Sequence, residues 1–228
     1  MNARRKAVRE TLLSTAVTIT LITGLQAYAG KAHAGTGPVV AGNGWKLQAP
    51  RITHIDTKPW VIAFHDLKSK NRLMPYVTNT AAELSSYLGV KFTVTPLIVP
   101  VTQGKCPPSH VISLRSMSKP DPAHPTRSFT GTCSSQGAAY SAYVFINSDY
   151  WQSWYPAAEY QRMNVIWHEM AHTVGLDHPA TCPRDKYGKQ PLMCANTYND
   201  LRVRRYSSFE ATAFSNLKAN RAYYPPVP

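Results

Sequence analysis

Three histidines and a glutamate stand at spacings that suit metal chemistry: His168-Glu169-Met170-Ala171-His172-Thr173-Val174-Gly175-Leu176-Asp177-His178. A helix rises about 1.5 Å and turns about 100° per residue, so His168 and His172 share one face and can reach one ion. Glu169 lies beside the first ligand, where a carboxylate can hold a water and take its proton. Gly175 lets the chain leave the helix through the left-handed region, and the turn can bring His178 back as a third ligand. Three imidazole nitrogens with one position left open make a catalytic zinc site; neutral imidazole also suits nickel, copper or cobalt.

The five residues in register resemble the metzincin clan of zinc-dependent endopeptidases, closest to the matrixin-like bacterial secreted metalloproteases, which have histidine as third ligand. Fifteen residues after His178 comes Pro191-Leu192-Met193-Cys194. The resemblance implies that Met193 is the methionine of a tight turn forming an apolar floor under the histidines. It is specific over about residues 160–200. It implies an α+β fold, with a twisted, mostly parallel sheet bearing an antiparallel edge strand, packed on the active-site helix. A small C-terminal subdomain would carry the Met-turn and a last helix. In some branches a tyrosine two residues after the methionine aids the transition state. Ala195 stands there, and Tyr198 is the nearest substitute. The cysteine that confers latency on matrixins has no counterpart. Nor is there the histidine and aspartate cluster of their second metal sites around His110 and His124, so calcium is possible but unsupported.

These residues need elements to hold them. Trp60-Val61-Ile62-Ala63-Phe64 is an apolar run that predicts the first buried strand. Residues 66–75 read as a polar loop ending at Pro75. An amphipathic helix is expected over Thr80–Leu88, with Gly89 ending it. Lys91–Val101 predicts one or two strands, Val111–Leu114 another, and Ser116–Ser135, rich in Pro, Ser, Thr and Gly, a long surface loop. Ala139–Asn147 alternates as a strand; by resemblance it is the edge strand that would pair with an extended substrate. The histidine helix is expected from near Ala157, burying Met163, Trp167, Met170 and Val174 while His168 and His172 face the cleft. Ser207 or Ser208 caps a last helix.

Composition frames the rest. Arg4, Arg5, Lys6 and Arg9 precede an uncharged stretch, Thr11–Leu25, too short to span a membrane, and small-residue cleavage patterns end at Ala29 and Ala34. Residues 1–34 therefore read as a signal peptide, 35–50 as a flexible mature N-terminus with four glycines, and 51–224 as one catalytic domain. A chain cut after Ala34 has 20 Lys and Arg against 11 Asp and Glu, a net charge of +9. The basic residues are scattered and no nucleic-acid motif accompanies them, so weak association with an anionic cell wall is the partner class they suit. Cys106, Cys133, Cys182 and Cys194 are an even set in an exported chain, which argues for two disulfides. Three pairings are possible, and the sequential one closes the shortest loops.

The expectation is a secreted, monomeric zinc endopeptidase acting on extended polypeptides, with Glu169 as general base. The alternatives are a secreted zinc amidase acting on cell-wall peptides and an inactive zinc-containing binding module. Nucleic-acid binding and stable membrane insertion are not expected.

Overall fold

The computed structural model describes residues 37–154, 158–194 and 205–224. The elements run β1 (Ala41–Gly42), β2 (Trp45–Leu47), β3 (His54–Ile55), β4 (Trp60–Phe64), α1 (Leu67–Leu88), β5 (Phe92–Ile98), β6 (Val111–Met117), β7 (Phe129–Ser135), β8 (Ala138–Asn147), α2 (Glu159–Thr173), β9 (Leu176–Asp177) and α3 (Ser208–Ala219). The class is α+β. The main sheet is parallel except for β7, which runs antiparallel to β8.

Strands β4 and β8 are nearly continuous apolar runs, as parallel strands buried within a sheet tend to be, and β6 buries Ile112 and Leu114 between them. Helix α1 packs on β4, β5 and β6, and α2 on β7 and β8; the two helices also touch, so they cover one face of the sheet. A single large apolar cluster fills the space between.

Four sequence expectations are corrected. Residues 66–75 are not a loop but the first half of α1, which runs through Pro75. Asp66 caps it, its carboxylate accepting from the Ser69 N–H at 2.6 Å. A proline inside a helix costs about 3 kcal/mol. Leu73, Val77, Leu84 and Leu88 are fully buried along one stripe, and burying such a side chain is worth roughly 1.5–3 kcal/mol each, so packing outweighs the proline.

Residues 116–135 are not all loop: Phe129–Ser135 is β7. It joins β8 through Gln136 and Gly137, both at positive φ, a two-residue hairpin turn.

Ala139–Asn147 is not the edge. Residues 142–145 of β8 pair with β6 and with β7, which must lie on opposite sides of it. The antiparallel strand β7 takes the edge position.

The expected flexible N-terminus, 35–50, is ordered from residue 37. Asn43-Gly44 turns β1 onto β2, and β2 pairs antiparallel with β9, Lys46 opposite Asp177 and Leu47 opposite Leu176. Trp45 and Leu47 alternate inward around exposed Lys46. Their burial against a strand that lies about 130 residues further on gives the segment its order.

Disulfides join Cys106 to Cys133 and Cys182 to Cys194. Among the described residues no helix is long and apolar enough to cross a membrane. The expected signal peptide, residues 1–34, and Tyr198 lie outside the described residues.

Candidate metal centre

Helix α2 delivers His168, Glu169 and His172. It is more deeply buried than a one-face stripe: every residue from Asn164 to Ala171 is buried, Met163 is only partly so, and both His168 and Glu169 are among the buried set at 4% and 6% exposure. The helix ends at Thr173, and Gly175 follows at φ +108°, a conformation that side chains rarely adopt. A Cβ on Gly175 would also sit 2.4 Å from Ile52 Cγ2, so space and backbone both call for glycine here. The chain then enters β9, whose pairing with β2 sets the position from which His178 returns.

The three Nε2 atoms form a tight triangle. His168 and His178 are 3.0 Å apart, and His172 lies 3.2 Å from each. The other ring nitrogens define what these contacts can be. His168 Nδ1 donates to the Leu192 carbonyl at 2.8 Å, and His172 Nδ1 donates to the Leu176 carbonyl at 2.7 Å. A carbonyl only accepts, so both Nδ1 atoms carry hydrogen. In the neutral rings the Nε2 atoms of His168 and His172 are then bare lone pairs facing each other, and no hydrogen bond can join them. Such convergence suits a cation. Tetrahedral ligation at about 2.0–2.1 Å places nitrogens roughly 3.3 Å apart, close to the observed spacing. Carbonyl anchoring of the second ring nitrogen is the usual outer support of a metal-binding histidine.

Electrostatics agree. Burial, and then the neighbouring His172, hold the His168 imidazole well below its ordinary range. Burial and then His178 push His172 down to about 4. Burial also lowers His178, with Arg127 and Lys46 adding to it and Asp177 opposing. All three are therefore neutral at pH 7, the state that ligates. Among the described residues, these three form the one group of His, Cys, Asp or Glu close enough to hold an ion. The fit is to a metal in general; the donor set does not select zinc alone.

Glu169 sits in the same cleft, its pKa raised to about 7 by burial, with the Thr130 hydroxyl opposing. That hydroxyl donates to Glu169 Oε2 at 2.6 Å. One turn further along the helix, Thr132 donates to the His172 carbonyl at 2.7 Å. Gln48 Nε2 reaches the carbonyls of His172 (3.2 Å) and Leu176 (3.0 Å). Thr130, Thr132 and Gln48 were not among the candidates read from the sequence. The Asn43-Gly44 and Gln136-Gly137 hairpin turns were the available signals, since they mark β7, which carries Thr130 and Thr132, and β2, which Gln48 directly follows.

Met193 is buried, and its N–H donates to Glu210 Oε1 at 3.1 Å. Its neighbour Leu192 supplies the carbonyl that orients His168. Glu210 Oε2 accepts from the Ser207 N–H, so this buried carboxylate ties the Met193 turn to the start of α3. The Cys182–Cys194 bridge closes the loop between His178 and that turn. His110 pairs with Asp56, and His124 pairs with Asp121, which itself lines the cleft; neither histidine belongs to the triad. The cleft has a volume of about 440 Å³ and is lined by the three histidines, Glu169, Phe129, Tyr150 and charged residues.

No family model matches the chain, and no curated protein shows significant similarity to it.

Proposed function

We propose that this chain is a secreted zinc-dependent endopeptidase of the metzincin type, closest to the matrixin-like bacterial enzymes. The observation that carries the reading is the convergence of three Nε2 atoms, two of them bare lone pairs oriented through Nδ1–H to backbone carbonyls, beside a buried carboxylate. A structural metal site has no need of a base at that position. The antiparallel edge strand β7 beside α2 and the buried Met193 turn also support a metzincin-like fold.

His168, His172 and His178 would hold the metal. A zinc ion bound there lowers the pKa of a water and polarises a carbonyl. With the metal in place, Glu169 would hold a water by hydrogen bond, accept its proton as the oxygen attacks the amide carbon, and return that proton to the leaving amine. Thr130 restrains the Glu169 carboxylate so that one oxygen is held and the other can turn to the water. Ser128, Phe129 and Thr130 line the cleft, and the outer edge of β7 offers backbone groups to an extended polypeptide, which would add as a further strand.

The two disulfides suit an oxidising compartment, which supports secretion. A second reading, hydrolysis of amide bonds in cell-wall peptides, is favoured by the excess of basic residues. Parallel digestion of unfolded casein and of isolated cell wall, each with the purified protein and with Glu169→Ala, separates the two. Casein cleavage lost in the variant supports the endopeptidase; solubilised wall with intact casein supports the amidase.

A further inference from the structure

Two guanidiniums stand in the cleft without a carboxylate partner among the described residues. The cleft lining includes two arginines, Arg51 and Arg127, and three carboxylates, Asp121, Asp177 and Glu169. Each carboxylate is already engaged. Asp177 pairs with Lys46 at 3.1 Å and accepts from the His178 N–H at 2.8 Å. Asp121 holds His124 at 3.0 Å and accepts from the Ala123 N–H at 2.9 Å. Glu169 takes the Thr130 hydroxyl at 2.6 Å. Among the described residues no carboxylate pairs with either arginine.

Arg51 is anchored to the metal-centre scaffold, and Arg127 stands at the entry to β7. Arg51 donates through Nη2 to Gln48 Oε1 at 2.7 Å, and the other end of that amide holds the His172 and Leu176 carbonyls. Arg127 lies two residues before β7 and three before Thr130, and lines the cleft. An unpaired guanidinium in a cleft is a receptor for a carboxylate, which it can take through two parallel N–H donors.

We propose that the cleft selects polypeptides bearing an acidic side chain close to the scissile bond, with Arg127 and Arg51 as the groups that receive it. This rests on the endopeptidase reading. Lysine at the same substrate position meets two like charges and is rejected, so discrimination comes from repulsion as well as attraction. Both arginines are exposed, so the attraction is screened by salt.

The test uses three peptides identical except for Glu, Gln or Lys beside the bond that is cut. Binding is read by fluorescence anisotropy on zinc-loaded Glu169→Gln protein, and kcat/KM on the zinc-loaded wild type. The expected result is a preference of roughly tenfold for Glu over Gln at low salt, with Lys weakest. The preference falls with added salt, collapses in an Arg51→Ala/Arg127→Ala background, and turns towards Lys in Arg127→Glu. Each ratio is taken within one variant, so a general loss of folding does not imitate the effect. Selective binding of the Glu peptide without cleavage supports the acidic-ligand cleft and overturns the endopeptidase reading. Cleavage with equal binding of all three peptides overturns the proposal and leaves the endopeptidase standing. Neither preference nor cleavage overturns both.

Discussion

At the residue scale the centre depends on lone-pair geometry, and that geometry was largely legible. His168, Glu169, His172, Gly175 and His178 lie within eleven positions, so helical spacing and one glycine suffice to bring them together. Thr130 and Gln48 were illegible as site residues because they reach it across 39 and 124 positions of sequence. Thr130 bears on the base alone. Thr130→Val should leave zinc stoichiometry unchanged and lower kcat by about tenfold, the scale of one lost hydrogen bond to a charged group. Thr130→Ser should restore most of that loss, as measured by peptide hydrolysis at matched zinc content. His178→Ala should lower zinc affinity by at least about 100-fold in a chelator competition; an unchanged affinity would remove His178 from the site.

At the element scale, strands and turns do the positioning. The Met193 turn stands on Glu210, a helix residue whose sequence signal, a capping box with Ser207, spoke only of helix α3. Glu210→Ala leaves the Met193 and Ser207 N–H groups without their acceptors. It should cost about 2–3 kcal/mol in urea unfolding and weaken zinc binding, because the Leu192 carbonyl loses its support. Glu210→Gln shows the sign of the pH effect. Burial raises the Glu210 pKa above 4.5 in the folded protein, so between 4.5 and the raised value the folded state binds more protons than the unfolded. The stability it contributes is present at low pH and is lost as pH rises through the raised pKa. The wild-type advantage over Glu210→Gln should therefore shrink as pH is raised through that window; an advantage that grows would contradict the burial. The sequence misjudged α1 and β7 for a common reason. Proline in the one and small polar residues in the other carried local signals against regular structure, and burial against distant strands overrode them.

At the scale of the whole molecule, the segment after the N-terminal hairpin, strand β7 and helix α2 meet at the cleft. Cysteine pairing was legible because short loops and an even count left few choices. The ordering of residues 37–50 was not, because β9, the partner strand of β2, comes after the histidine helix. Cys182–Cys194 spans the loop that links His178 to the Met193 turn. Replacing both cysteines by serine should lower stability by about 3 kcal/mol and weaken zinc binding together. Loss of stability with unchanged zinc affinity would show that the bridge acts on the unfolded chain alone. Removal of the metal with a chelator should lower Tm in the wild type and have no effect on a variant lacking all three histidines.

The most direct test is the hydrolysis rate of one quenched-fluorescence peptide by wild type and Glu169→Gln, each shown to carry one zinc. The expected result is equal metal content and a fall in kcat/KM of at least about 1000-fold, the loss of a base in water activation. Hydrolysis by Glu169→Gln within a few-fold of wild type would contradict Glu169 as the base and, with it, the zinc endopeptidase.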